Sequence, residues 1–320
     1  MPTRRQSLSN LFLNKPSPQE QMHLQELEKL SVVHQGRPFL FDDGDLRMMY
    51  LTPHCMQSAM SRAEPERLLC AYSRMMMGFL LFHPAPRHII LIGLGGGSLL
   101  KYCYRHFPAC RITALEISAD VIAMRDQFNL PPDSERLTVI HADAAVWLRD
   151  HQENADVIFL DAYSEQGPVP ALNSTEFYGD CQRCLSPDGV LVANIWGKPS
   201  AVAPMLYRLH RQFEQPVRWI RSEDSYNLLV FVSRHTISDD TLLQHLELCQ
   251  EKFSELPLQQ MLATFHRIQH HTDPNDLMPI IMPLRSVLVR DAKVPHTYTE
   301  WKARIQAMEQ AAAADRNFLK

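Results

Sequence analysis

"LIGLGGGSLL", residues 91–100, places four glycines, Gly93, Gly95, Gly96 and Gly97, within five positions of a chain that holds only eleven. The apolar run "HIILIG" before them reads as a strand, and the spacing of "SLLKYCYRHF" after them reads as a helix. Glycines in such a turn let the main chain approach a neighbour that a Cβ would exclude. The helix that follows offers free amides at its N-terminus.

Outward from this turn the same alternation repeats. "RITALEIS", "RLTVIHAD", "ADVIFLDAY" and "GVLVANIWG" read as strands, separated by the helical stretches "ADVIAMRDQF", "AAVWLRDH" and "STEFYGDCQRCL". "AVAPMLYRLHRQF" is a further helix, and the closing pair "PVRWIRS" and "YNLLVFVSR" is close enough in sequence to pair antiparallel at one edge. Continuous apolar strands between helices indicate a parallel sheet covered on both faces, the doubly wound α/β class.

Four segments follow from the texture of the chain. Residues 1–30 form a tail and short helix. Residues 31–62, with "SVVHQ", "PFLFDD", "LRMMYLT" and "MQSAMS" broken by Gly and Pro, form a small antiparallel β unit. Residues 63–235 form the doubly wound domain, opened by a helix over "EPERLLCAYSRMMMGFLLF", whose run Met75–Met77 belongs to the core or to a subunit contact. Residues 236–320 form a helical extension, with "LLQHLELCQEKF", "PLQQMLATFHRI" and "TEWKARIQAMEQ" as its helices.

Composition excludes several classes. At 320 residues and a net charge of −4 there is no sign of a nucleic-acid binder. Seven cysteines without regular spacing do not form a disulfide framework, so a reducing compartment, the cytoplasm, is expected. No apolar run approaches the roughly 20 residues of a membrane span. Cys181 and Cys184 lie on one helix with no second CxxC, the fifteen histidines include His270-His271 but no HExxH, and no metal is expected.

Ligands of a doubly wound sheet bind at the carboxyl ends of its strands. There Gly93, Gly95, Gly96 and Gly97 are candidates to let the main chain approach a ligand, unless they only make a tight turn. Glu116 ends the second strand, where an acid accepts from ribose hydroxyls; the alternative is a solvated strand end. Asp143 ends the third and either meets an adenine amine, caps the helix beside it, or does both. Asp161 closes the apolar "VIFL" at the position nearest the reacting end of a bound nucleoside. These residues describe an adenosine pocket and leave open a nicotinamide cofactor or a sulfonium nucleoside. Nothing marks a hydride-transfer domain, so a dehydrogenase ranks third.

"HPAPRHIILIGLGGGSLLKYCYRHFP", "ALEISADVI", "HADAAVWL" and "DVIFLDAYSEQGPVP", with "MQSAM" upstream, resemble the polyamine aminopropyltransferases, the spermidine synthase family, over about residues 35–233. The resemblance implies a Rossmann-like seven-stranded sheet of the S-adenosylmethionine-dependent methyltransferase type. It implies transfer of an aminopropyl group from decarboxylated S-adenosylmethionine to a small-molecule amine, without a metal. Glu116 would then hold the ribose, Asp143 the adenine, and Asp161 would orient and deprotonate the amine. Gln57 and Tyr72 would line the pocket. The family resemblance, and a β unit too short to bury a core alone, imply a homodimer through residues 31–82.

Two positions depart from the family pattern. Gly96 stands where the family has an aspartate that holds the donor's amine, and Ser164 replaces the second aspartate of the loop, with Glu165 beside it. An acceptor held by Glu165 and by the aromatic walls Tyr163 and Trp196 is expected in place of a simple diamine. Bare amides at Gly96 would also welcome the carboxylate of intact S-adenosylmethionine, so methyl transfer on the same fold is the alternative. A nucleoside-binding protein without turnover is a second alternative.

Overall fold

The computed structural model describes residues 17–164, 167–196, 199–222, 225, 227–268 and 298–318. Helix α1 (Pro18–His34) begins behind Ser17, whose hydroxyl accepts from the Glu20 amide at 3.1 Å, with proline in the first turn. It ends at Gln35 in the left-handed conformation. "SVVHQ" is therefore the end of a helix and not a strand. Val32 and Val33 lie on its outer face, so their β-branched character reports nothing about the backbone here.

The β unit comprises β1 (Phe39–Asp43), β2 (Leu46–Thr52) and β3 (Cys55–Ser61), paired antiparallel in that order. Helix α2 (Ala71–Met76) continues into a 3-10 turn, Met77–Leu81. It starts later than the apolar spacing predicts, because Arg74 donates to the carbonyls of Leu68 and Leu69 at 2.9 and 2.7 Å and holds that segment out of the helix. Met75, Met76 and Met77 are all buried in the main core, which resolves their role as packing.

The strands and helices of the large sheet then follow as β4 (His88–Ile92), α3 (Ser98–His106), β5 (Arg111–Glu116), α4 (Ala119–Ala123), β6 (Leu137–His141), α5 (Ala144–Asp150) and β7 (Ala155–Leu160). A two-strand loop, β8 (Tyr163–Ser164) with β9 (Gly167–Pro168), precedes α6 (Thr175–Cys184), β10 (Leu185–Ile195), α7 (Pro199–Phe213), β11 (Val217–Arg221) and β12 (Leu228–Ser233). Helices α8 (Asp239–Cys249) and α9 (Leu258–Thr264) and the strand β13 (His266–Ile268) follow, and α10 (Tyr298–Phe318) closes the described chain.

Sheet order is β13-β11-β12-β10-β7-β4-β5-β6. The five strands β10, β7, β4, β5 and β6 run parallel, while β12 is antiparallel to both its neighbours. The seven expected strands are joined by an eighth, because "HRI" leaves the helical pattern after Thr264 and pairs with β11. All five residues of β4 are buried, as a strand covered on both faces requires. One core holds α3, α8 and α9 with the Met75–Phe82 segment; the other holds α5, α6 and α7.

The described helices after residue 236 join two different cores. Helices α8 and α9 belong to the first core, whereas α10 returns to the β unit, where Trp301 and Ile305 pack with Leu27, Phe39 and Tyr50. Glu20 of α1 accepts from the amides of Tyr298 and Thr299 at 3.3 and 3.2 Å, and from the Thr299 hydroxyl at 2.8 Å. A carboxylate there meets the positive end of the α10 dipole. Among the described residues no helix is long and apolar enough to cross a membrane.

His88, at the start of β4, is 6% exposed. The Arg111 guanidinium lies 3.0 Å from its Nδ1, so that nitrogen must accept, and Nε2 faces Thr113 Oγ1 at 3.2 Å. Burial, with Arg111 beside it, lowers its pKa to about 4. Between that value and the ordinary 6.5 the unfolded chain binds a proton that the folded chain refuses. Stability should therefore fall as pH drops from 6.5 toward 4 and level off below, by about 2 kcal/mol after allowance for screening. Urea unfolding of the parent and of His88→Gln across that range checks this: the variant should lose part of the slope.

Candidate functional site

The carboxyl ends of β4, β5, β6, β7 and β10 form one edge, and the predicted residues stand along it. Gly93 leaves β4 at φ +94, and a Cβ there would lie 2.2 Å from the carbonyl oxygen of Asp161. The turn thus rests on the backbone of the acid that ends β7, whose own amide donates to Ile92 at 2.9 Å.

Glu116 is buried, and both its oxygens are held by main chain: Leu94 N–H donates to one at 2.9 Å and Ser118 N–H to the other at 2.8 Å. Each oxygen keeps a lone pair, so the carboxylate is oriented before any hydroxyl arrives. Asp143 caps α5 through Oδ1, accepting from Ala145 and Val146 at 2.8 and 3.5 Å, and leaves Oδ2 without a partner among the described residues. Capping and ligand binding are compatible. Ile117 and Val146, 67% and 45% exposed, follow Glu116 and Asp143 in the chain and present two apolar surfaces to solvent. Sequence reading passed over both; the available signal was a large apolar residue placed just beyond each strand-end acid.

Ser58 of β3 was also missed, and it changes the reading of Gly96. The Gly96 amide donates to Ser58 Oγ at 2.7 Å, so it is not bare. A Cβ on Gly96 would lie 2.7 Å from the ring of buried Phe128 and 2.9 Å from Ser58 Cβ. The departure at position 96 is therefore built into the packing. Gly95 lies under the same serine, and Gly97 is the N-cap of α3. Gln57 stands next to Ser58 but turns its amide along its own strand, donating to Cys55 Sγ at 3.1 Å. Tyr72 is half-buried against the main core.

Asp161 is half-buried, and burial pushes its carboxyl above the usual range while a hydrogen bond from Asn194 Nδ2, at 2.8 Å, opposes that rise. Tyr163 donates its hydroxyl to the Asn194 carbonyl and accepts from the Trp196 amide at 2.7 Å, so it ties the loop after β7 to the end of β10. Its hydroxyl is pushed up by burial and by the nearby Asp161 charge. Trp196 is 48% exposed beside it. Ser164 pairs with Gly167 across the two-strand loop, and Glu165 lies outside the described residues.

Cys181 and Cys184 are buried in α6, and the Cys184 thiol donates to the carbonyls of Leu148 and His151. Among the described residues no three His, Cys, Asp or Glu side chains assemble as metal ligands. His270 and His271 lie outside the described residues.

The sheet order is that of the Rossmann-like methyltransferase type of fold. A family model described as a spermine/spermidine synthase domain matches residues 69–217. A polyamine aminopropyltransferase of Neisseria meningitidis is 37% identical over 191 residues, 59% of this chain and 73% of the relative. One of Chromobacterium violaceum is 34% identical over 198 residues, 62% of this chain and 76% of the relative. The chain belongs to the spermine/spermidine synthase family. Among solved structures, a probable spermidine synthase from Corynebacterium glutamicum shares the fold at TM-score 0.56 and 19% identity, over 65% of this chain and 83% of that one. Human methyltransferase-like protein 13, solved with SAH, shares it at TM-score 0.51 and 23% identity, over 66% of this chain and 99% of that one.

The packing at Gly96 makes a direct forecast. Gly96→Asp should destabilise the chain by about 1–3 kcal/mol through overpacking against Phe128, and should cost less in a Phe128→Leu background. Thermal unfolding of the two single variants and the double variant measures this. Equal costs in both backgrounds would show that Phe128 is not what fills the position.

Proposed function

We propose that this chain transfers an aminopropyl group from decarboxylated S-adenosylmethionine to an amine acceptor, with Asp161 as general base. The observation that carries the reading is Asp161 itself: a half-buried carboxylate against the glycine turn, raised by burial and held, among the described residues, by one side-chain hydrogen bond. A carboxylate so placed is more basic than an exposed one, and an amine that arrives protonated needs such a group to take its proton. Glu116 receives the ribose hydroxyls, Asp143 Oδ2 the exocyclic amine of adenine, and Ile117 and Val146 its faces.

In the transfer the free amine attacks the methylene carbon bonded to the sulfonium. The carbon–sulfur bond breaks, its electron pair returns to sulfur, and neutral methylthioadenosine leaves. The proton displaced from nitrogen resides on Asp161. Alignment supplies most of the remaining rate, since no charge has to be created at the leaving group.

Methyl transfer from intact S-adenosylmethionine rested on bare amides at Gly96, and Ser58 occupies that amide. Aminopropyl transfer is accordingly favoured. The acceptor lies between Asp161 and the aromatic surface of Trp196, with Tyr163 holding the loop. The irregular spacing of the cysteines in the sequence suits a reducing compartment such as the cytoplasm. A homodimer through the edge strands β1 and β3 completes the reading; the buried Met75–Met77 run contributes nothing to it.

Asp161→Asn should bind methylthioadenosine as the parent does and lose about 10²–10⁴ in turnover. Release of methylthioadenosine from the decarboxylated donor, with amines supplied in turn, is the assay. Turnover at the parent rate would remove Asp161 from the role, and activity with intact S-adenosylmethionine alone would replace aminopropyl by methyl transfer. Glu116→Gln should weaken methylthioadenosine binding about tenfold or more, read by calorimetry.

A further inference from the structure

Asn194 and Asn227 stand behind Asp161 on the side away from the donor residues. Asn194, 6% exposed near the end of β10, donates from Nδ2 to Asp161 Oδ1 at 2.8 Å. Its Oδ1 accepts from Asn227 Nδ2 at 2.7 Å. Strand alternation puts the three on one face. Val157 and Phe159 of β7, Val190 and Val192 of β10, and Leu229 and Phe231 of β12 all enter the first core, and Asp161, Asn194 and Asn227 continue those rows.

Chemistry fixes the direction of the chain of bonds. An ionised carboxylate only accepts, so Asn194 turns its amide nitrogen to Asp161 and its oxygen to Asn227, which must then donate. The backbone of each is pinned: Asn194 pairs with Leu229 and its carbonyl accepts from Tyr163, while the Asn227 carbonyl accepts from the Ser222 amide at 2.9 Å. Asp161 Oδ1 thereby has one acceptor site engaged, and Oδ2 has no hydrogen-bond partner among the described residues.

We propose that Asn194 and Asn227 form a two-amide relay that orients Asp161 and holds it ionised, acting as positioning residues for proton acceptance. The proposal rests on the reading of Asp161 as the base. Burial raises the carboxyl and the Asn194 bond lowers it, and no charged side chain among the described residues enters that balance. Among the described residues, Tyr163 is a titratable neighbour, and its hydroxyl is pushed up and stays neutral through the working range. Polarisation along the two amides strengthens the inner bond.

The Asp161 carboxyl can be titrated directly by carbon NMR of the full chain labelled at aspartate carboxyls, with Asp161→Asn identifying its signal. In Asn194→Ala the titration should move up by about one pH unit or more. In Asn227→Leu it should move the same way by less. The acid limb of the turnover profile should follow in both, with methylthioadenosine affinity unchanged. Asn227 lies in the turn between β11 and β12, so its variant tests the relay even if Asn194→Ala does not fold, as thermal unfolding would reveal. An unmoved Asp161 titration in Asn227→Leu overturns the relay, whatever the rates. A titration that moves while the acid limb stays in place leaves the relay standing and removes Asp161 as the base.

Discussion

Contact between the Gly93 backbone and the Asp161 carbonyl is the constraint on which the site depends. A Cβ at position 93 would lie 2.2 Å from that oxygen, so only glycine lets β4 and β7 end side by side at this height. With Ile92 accepting from the Asp161 amide, the main chain of the acid is fixed on both sides. Asp161 then stands next to the glycine turn. The proposed donor site and the proposed base are adjacent because two backbones touch.

A second contact joins the β unit to that turn. Ser58 takes the Gly96 amide, and Phe128 fills the space an acidic side chain would need. Lys101 of α3, buried, donates to the Phe128 carbonyl at 2.7 Å and lies 3.0 Å from Met60 Sδ of β3. Burial lowers its pKa to about 8, so burial costs this cation something that its neutral partners offset only in part. One lysine thus ties together the helix after the glycines, the loop carrying Phe128 and the strand carrying Ser58. An aspartate at position 96 would have to displace residues of two other elements.

The β unit in turn depends on both ends of the chain. Its apolar face is closed by Leu27 of α1 and by Trp301 and Ile305 of α10, and Asp43 accepts from Tyr298 at 2.7 Å and pairs with Lys302 at 2.5 Å. A three-stranded sheet cannot bury a core alone. Here helices far apart in sequence supply the missing layer, so the support of Ser58 reaches to the C-terminal helix.

Period and punctuation alone determined the doubly wound sheet, the strand-end positions of Glu116, Asp143 and Asp161, and the glycine turn, because each is a local pattern of apolar spacing and turn residues. The same local reading mistook Val32 and Val33 for strand, since β-branched residues on an exposed helix face look no different in sequence. It ran a helix through His266–Ile268, where three residues have no period to read. Only the tertiary structure decided that Ser58 and Phe128 close around Gly96, that α10 covers the β unit, and that Asn194 and Asn227 back Asp161. Each of these joins residues from different elements, and the geometry that brings them within hydrogen-bond or van der Waals reach exists only once the sheet order is set.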